Sequence, residues 1–203
     1  MTMPPKKLLT LLLPLAACST PAERIRVAPA VAVVDAAAPD PNARNPLIGG
    51  VAMPTDRTIG ATVAAAGPLA TVARLAVAAD FAPMLEAAGP TTLFAPTDEA
   101  FGRLAPGTVD ALVKPENREA LLKLLRLHVV AGRLSSADLL RRIATGQTTL
   151  STLGGEPLTL SLTGAVVTLT DSGGNRSYIE TADVRQTNGV LHVVNGVLVP
   201  RLN

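Results

Sequence analysis

The chain predicts an α+β fold, with helices in its first part and antiparallel strands in its last. Apolar residues recur at helical spacing as far as Gly146 and at a period of two beyond it. Helices and strands do not alternate in the βαβ manner, which argues against a doubly wound parallel sheet. Apolar residues make up 48% of the 203 positions, enough for one domain with a substantial core plus appendages.

The elements follow in order from about Asn45. Thr58 caps a short helix over Ile59–Ala66, and Gly67-Pro68 breaks it. Leu69–Ala79 continues as helix with Leu69, Val72, Leu75 and Ala76 on one face, and Asp80–Ala88 adds a shorter stretch that ends at Gly89-Pro90. Thr91–Ala95 reads as a strand, and Thr97 caps a helix start that carries Asp98 and Glu99. Pro106-Gly107 is a break before Thr108–Val113. Pro115 suits the first turn of the next helix, whose buried face holds Leu121, Leu122, Leu124, Leu125 and Val129. After a break at Gly132, Ser135 or Ser136 caps a helix through Ala144. Strands are expected at Thr148–Leu153, Leu158–Thr163, Val166–Asp171, Tyr178–Thr181 and Leu191–Val199, with Gly154-Gly155 and Asp171–Asn175 as hairpin turns. The sequence has no internal repeat.

Aromatic residues are only 2% of the chain, so the expected core is aliphatic, with Phe81, Phe94, Phe101 and Tyr178 as its few large pieces. That scarcity argues against stacking platforms for nucleobases or sugars.

The N-terminus reads as an export signal over residues 1–17. Lys6 and Lys7 precede an apolar run, Leu8–Leu15, of signal-peptide length and too short to span a bilayer. Leu15-Ala16-Ala17-Cys18 resembles the bacterial lipobox, in which the Cys is lipidated after cleavage; the plainer alternative is a signal cut after a small residue, leaving a free thiol. Cys18 is the one Cys in the chain, so no intrachain disulfide is available. Residues 18–44 are rich in Pro and Ala and read as a tether. The chain carries 18 Lys+Arg against 16 Asp+Glu, and losing Lys6 and Lys7 with the signal leaves 16 of each. A neutral mature chain gives no support for nucleic acid as a partner.

Thr92, Leu93, Phe94, Ala95, Pro96, Thr97, Asp98, Ala100 and Phe101 resemble the first motif box of the fasciclin-domain family. Leu124–Gly132 is similar to that family's Tyr-His segment, keeping His128 but with Leu127 where Tyr is common. Asn188, Gly189, His192, Val193, Val194, Gly196, Val197, Leu198 and Pro200 resemble the second box, with Asn195 where Asp is common and Asp183 as its lead-in. The resemblance covers residues 45–203 as one domain. It implies a wedge of two mainly antiparallel β-sheets with helices packed alongside, and a cell-surface or envelope role in adhesion or interaction.

The candidate site residues are therefore Thr97, Asp98, His128, His192, Asn195 and Pro200, with Cys18 as the lipidation site. Each also has a structural reading. His128 and His192 lie in apolar runs, as buried hydrogen-bonded histidines do, and no metal-ligand spacing or nucleophile motif accompanies them. Asp98 and Glu99 suit the positive end of a helix as well as a cation or receptor site. Asn188-Gly189 and Asn195-Gly196 suit turns with positive φ. Pro200 suits either an interaction surface or a strand end closed against pairing. Arg141-Arg142 reads as a solvated helix face.

The expectation is a non-enzymatic adhesion or interaction module of the bacterial cell envelope, lipid-anchored through Cys18, with no cofactor or metal. In a Gram-negative cell, Ser19 after the Cys points to the outer membrane, on its periplasmic or surface face. The partner class is an envelope or matrix protein or glycan. The alternative is a carrier of a hydrophobic small molecule, a carotenoid or lipid, held between helix and sheet.

Overall fold

A computed structural model describes residues 44–201; the signal segment, Cys18 and all of the tether but Arg44 lie outside the described residues. The described residues open with a two-stranded antiparallel ribbon, β1 (Leu47–Ile48) and β2 (Val51–Ala52). Three helices follow: α1 (Ile59–Ala65), α2 (Ala70–Ala78) and α3 (Ala82–Glu86). Gly67-Pro68 makes a single 3-10 turn between the first two, since Pro starts a turn but cannot donate within a longer helix. Thr58 caps α1, its hydroxyl accepting from the Ala61 amide at 3.2 Å.

Strand β3 (Thr91–Pro96) leads into α4 (Asp98–Gly102), then α5 (Thr108–Leu112), α6 (Arg118–Leu127), β4 (Val129–Ala131) and α7 (Ser136–Ala144). Five further strands complete the fold: β5 (Thr149–Ser151), β6 (Pro157–Thr163), β7 (Val166–Thr170), β8 (Arg176–Gln186) and β9 (Gly189–Val194).

Strands β3 to β9 form one sheet in the order β4-β3-β9-β8-β7-β6-β5. With the ribbon this makes two mainly antiparallel sheets with helices alongside, the expected α+β class. The larger sheet turns within β8, whose first residues pair with β7 and whose remainder pairs with β9 across two register shifts. Its two edges also meet. Val130 bridges Thr152, and the Leu153 amide donates to the Val129 carbonyl at 2.8 Å. The sheet thus curls back on itself and leaves little open edge.

Two apolar clusters lie on either side of the central strands. Leu93 and Ala95 of β3, with Leu191 and Val193 of β9, face the helices, where Val72, Leu75, Phe101 and Leu124 pack. Phe94 and Val194 point the other way, into the curl lined by Leu139, Leu158, Leu160 and Leu169. Burial on both faces explains why these strands read as continuous apolar runs.

Several boundaries differ from expectation for physical reasons. The last strand stops at Val194, because Asn195 exchanges two bonds with the Tyr178 backbone and turns the chain away. Strand β8 is much longer than Tyr178–Thr181; its charged residues and two register irregularities hide the period of two. Val129 belongs to β4, a three-residue strand too short to carry a period, rather than to the helix face. Pro115 opens a separate 3-10 turn, and α6 begins only at Arg118. Tyr178 is half-buried rather than core, whereas Phe81, Phe94 and Phe101 are fully enclosed.

Candidate functional site

The two motif segments, nearly a hundred residues apart in sequence, are neighbours in the sheet. Strand β3 pairs with β9 in parallel, in register from Thr91 with Gly189 to Pro96 with Val194. Phe94 and His192 are opposite each other in this register, and their rings stack at 5.5 Å with an interplanar angle of 19°. Thr97 extends the ladder, its amide donating to the Val194 carbonyl at 3.1 Å, and then caps α4 by accepting from the Ala100 amide. Asp98 reaches backward instead: its carboxylate accepts from the Thr71 amide at 2.8 Å, in the first turn of α2.

His192 is fully buried and satisfied by backbone on both nitrogens. Nε2 donates to the Leu134 carbonyl at 2.8 Å, and Nδ1 accepts from the Asp183 amide at 3.2 Å. Burial therefore holds the imidazole neutral, its pKa pushed below the usual 6.5. Asp183 sits at the second irregularity of β8 with φ +62°, a conformation rare outside glycine. Its carboxylate accepts from both the amide (2.8 Å) and the hydroxyl of Ser136, at the first turn of α7. Thr92, on β3, donates to the Gly132 carbonyl and accepts from the Leu134 amide. Thr92, Asp183 and His192 together clamp the 132–136 connection and so place α7. Ser135 completes the start of that helix in a capping box with Asp138, whose carboxyl is held below its ordinary range chiefly by the Ser135 hydroxyl.

His128 makes a second clamp. It ends α6, with Nδ1 donating to the Leu124 carbonyl at 2.8 Å and Nε2 accepting from the Leu198 amide at 3.1 Å. Burial pushes its pKa from 6.5 down to about 4, against the smaller opposing effects of the Leu124 carbonyl and the Asp171 charge.

Asn188 fastens helices to the sheet. Its Oδ1 accepts from the Ile59 amide at 2.9 Å, and its Nδ2 donates to the carbonyls of Leu85 (2.8 Å) and Ala87 (3.0 Å). Neither Gly189 nor Gly196 has positive φ, contrary to the turn reading. Glycine is needed there for closeness: a Cβ at Gly189 would lie 1.9 Å from the Thr91 carbonyl oxygen, and one at Gly196 would lie 3.0 Å from the Arg176 oxygen. Pro200 is buried just beyond Val199, whose amide donates to the Asp171 carboxylate at 2.8 Å.

The sequence reading missed Asp171 and Asp183 as organisers. Asp171 was legible only as a turn residue, although its carboxylate also holds Gly173, Asn175 and the C-terminal segment. Asn45, which by sequence marks only the domain boundary, bonds both backbone groups of Arg185 through its side chain.

Two surface grooves among the described residues bear on function. One, of about 390 Å³, is rimmed by Ile48, Thr97, Asp98, Glu99, Glu180 and Thr181, so it opens where both motif strands end and is acidic. The other, of about 370 Å³, lies along α7 and is lined by Arg133, Arg141 and Arg142. Between helices and sheet, the apolar void lined by Val72, Phe81, Leu93 and Phe101 measures about 10 Å³. That is the room of a single water. Among the described residues no group of three or more His, Cys, Asp or Glu is placed to hold a metal ion.

A family model for the fasciclin domain matches residues 67–200. Protein sll1483 of Synechocystis is 36% identical over 148 residues, 72% of this chain and 76% of that protein. Protein sll1735 of the same strain is 33% identical over 129 residues, 64% of this chain and 87% of its own length. Among solved structures, a FAS1 domain pair from the insect cell adhesion molecule fasciclin I covers 70% of this chain at 20% identity and a TM-score of 0.43; the match spans 44% of that structure's chain.

Proposed function

Because this chain belongs to the fasciclin domain family, we propose that it is a non-enzymatic interaction module of the bacterial cell envelope, anchored by lipid at Cys18 and held off the membrane by the tether of residues 18–44. Fasciclin domains are modules of adhesion and interaction, and the observation that carries the same role here is how the motif side chains are spent. Both imidazoles have each nitrogen bound to backbone, and Thr97, Asp98 and Asn188 are engaged in capping or clamping. Groups consumed in holding backbone are not free to move protons or ligate ions. The void between helices and sheet holds about one water, so we place the partner at the surface of this domain.

The acidic groove is the docking place we assign to that role. It lies at the shared end of β3 and β9, and its Glu99 and Glu180 stand beside apolar Ile48 and Val193. A protein partner with a basic rim around an apolar contact suits it. The experiment is adhesion of beads coated with the full chain to isolated envelopes. Binding is expected to fall when Glu99→Lys and Glu180→Lys are combined, and to weaken with salt. Beads that never bind envelopes, or a double variant that binds as well as the parent at every salt concentration, would overturn the reading.

A further inference from the structure

The arginine-lined groove along α7 points to a second kind of recognition. The described residues carry 14 Lys+Arg and 13 Asp+Glu, so three arginines in one groove are a local concentration rather than the overflow of a basic protein. The one carboxylate lining it, Asp138, is already paired with Arg141 at 2.8 Å and bound into the capping box. Arg142 has no ion-pair partner among the described residues. Arg133 donates to the backbone carbonyls of Gln186 and Thr187, both at 3.3 Å, which steadies its guanidinium while leaving its charge uncancelled.

The walls of the groove are held by hydrogen bonds and caps. Arg133 lies in the 132–136 connection that Thr92, Asp183 and His192 clamp, and Arg141 and Arg142 ride on the doubly capped α7. The family motifs therefore fix the relative placement of cations contributed by two separate segments. Such pre-organised guanidiniums favour carboxylate and phosphate, which they bind in pairs of parallel hydrogen bonds.

The remaining lining narrows the ligand class. Thr145 and Gln147 add acceptors and an amide beside the arginines, and Leu134 is the apolar member of the set. No aromatic ring lines the groove to stack a base, and a single Leu makes no channel for an acyl chain. About 370 Å³ falls within the usual range of roughly 300–1,000 Å³ for small-ligand sites and is far larger than one oxyanion requires. From this we infer that the groove binds an anionic carbohydrate unit, a sugar acid or sugar phosphate: its oxyanion on Arg133 and Arg142, its hydroxyls on Thr145 and Gln147.

The inference rests on the chain being an interaction module but concerns a groove apart from the acidic one, so adhesion to envelopes can survive its failure. The test is calorimetric titration of the purified full chain with digalacturonate, glucose 6-phosphate, glucose and inorganic phosphate, together with sedimentation against phosphatidylglycerol vesicles. The charged sugars should bind, glucose should not, and phosphate alone should bind more weakly than glucose 6-phosphate. Arg142→Gln should lower affinity about tenfold or more, the loss of a charge-assisted hydrogen bond, with an unchanged melting temperature. Combining it with Arg133→Gln should abolish binding. Failure of both charged sugars to bind overturns the inference. So does phosphate binding as tightly as glucose 6-phosphate, unchanged affinity in the double variant, or capture by vesicles alone.

Discussion

A methyl group at Gly189 would stand 1.9 Å from the Thr91 carbonyl oxygen and 2.8 Å from Ile59 Cδ1, so it pushes simultaneously on the paired strand and on α1. Neither neighbour is the loose end of a flexible chain. Gly189→Ala should therefore destabilise the protein by about 3 kcal/mol or more, at the upper end of overpacking costs, as read from denaturant unfolding. The imidazoles carry a different residue-scale consequence. His128 is neutral in the fold until about pH 4, but its ordinary pKa is 6.5. Between those values the unfolded chain binds a proton that the folded chain refuses, so stability is full above about pH 6.5 and is lost as pH falls. The loss from this residue reaches at most about 3 kcal/mol. His192 pulls in the same direction. Urea midpoints measured from pH 7 to pH 4 should fall, and less so in His128→Gln; a flat profile would show that the imidazoles are not held neutral.

At the scale of elements, helix ends are fixed by side chains from distant segments. Helix α2 takes its cap from Asp98, which follows β3, and α7 takes a second cap from Asp183 on β8. Asp98→Ala should cost about 1 kcal/mol, as cap removal does, and should raise hydrogen exchange in the first turn of α2 ahead of the sheet. Asp183→Ala should cost more than Ser135→Ala, since it removes two bonds to Ser136 and keeps the positive φ without a compensating partner. Equal unfolding midpoints for those two variants would argue against the clamp. The local caps Thr58, Thr97 and Ser135 were legible in the sequence because an N-cap acts within three residues. The long-range caps were not, because nothing in the neighbourhood of Asp98 or Asp183 names the amide it serves. Asp98 does sit in the first turn of α4 as its position suggests, but that local explanation gave no sign of its bond to α2.

At the scale of the whole molecule, the proposed anchoring rests on the N-terminal sequence and the proposed binding on the domain surface. Cys18→Ala should move the protein from the membrane to the soluble fraction of fractionated cells, and unchanged membrane retention would remove the lipid anchor from the proposal. The fold class, the local helix caps and the order of most elements were legible because periodicity and local capping are encoded within a few residues of where they act. The parallel pairing of β3 with β9, the closure of the curled sheet at Val130 and Thr152, and the clamping roles of Asp171, Asp183 and Asn188 appeared only in three dimensions. So did the gathering of Arg133 with Arg141 and Arg142 into one groove. Alone, the sequence determined an α+β fold with an aliphatic core, because apolar spacing and capping act locally, and its motif residues carried the resemblance to the fasciclin family. The tertiary structure decided what the motif residues do, because their partners are backbone groups as far as 129 positions away and a hydrogen bond at that separation leaves no periodic trace.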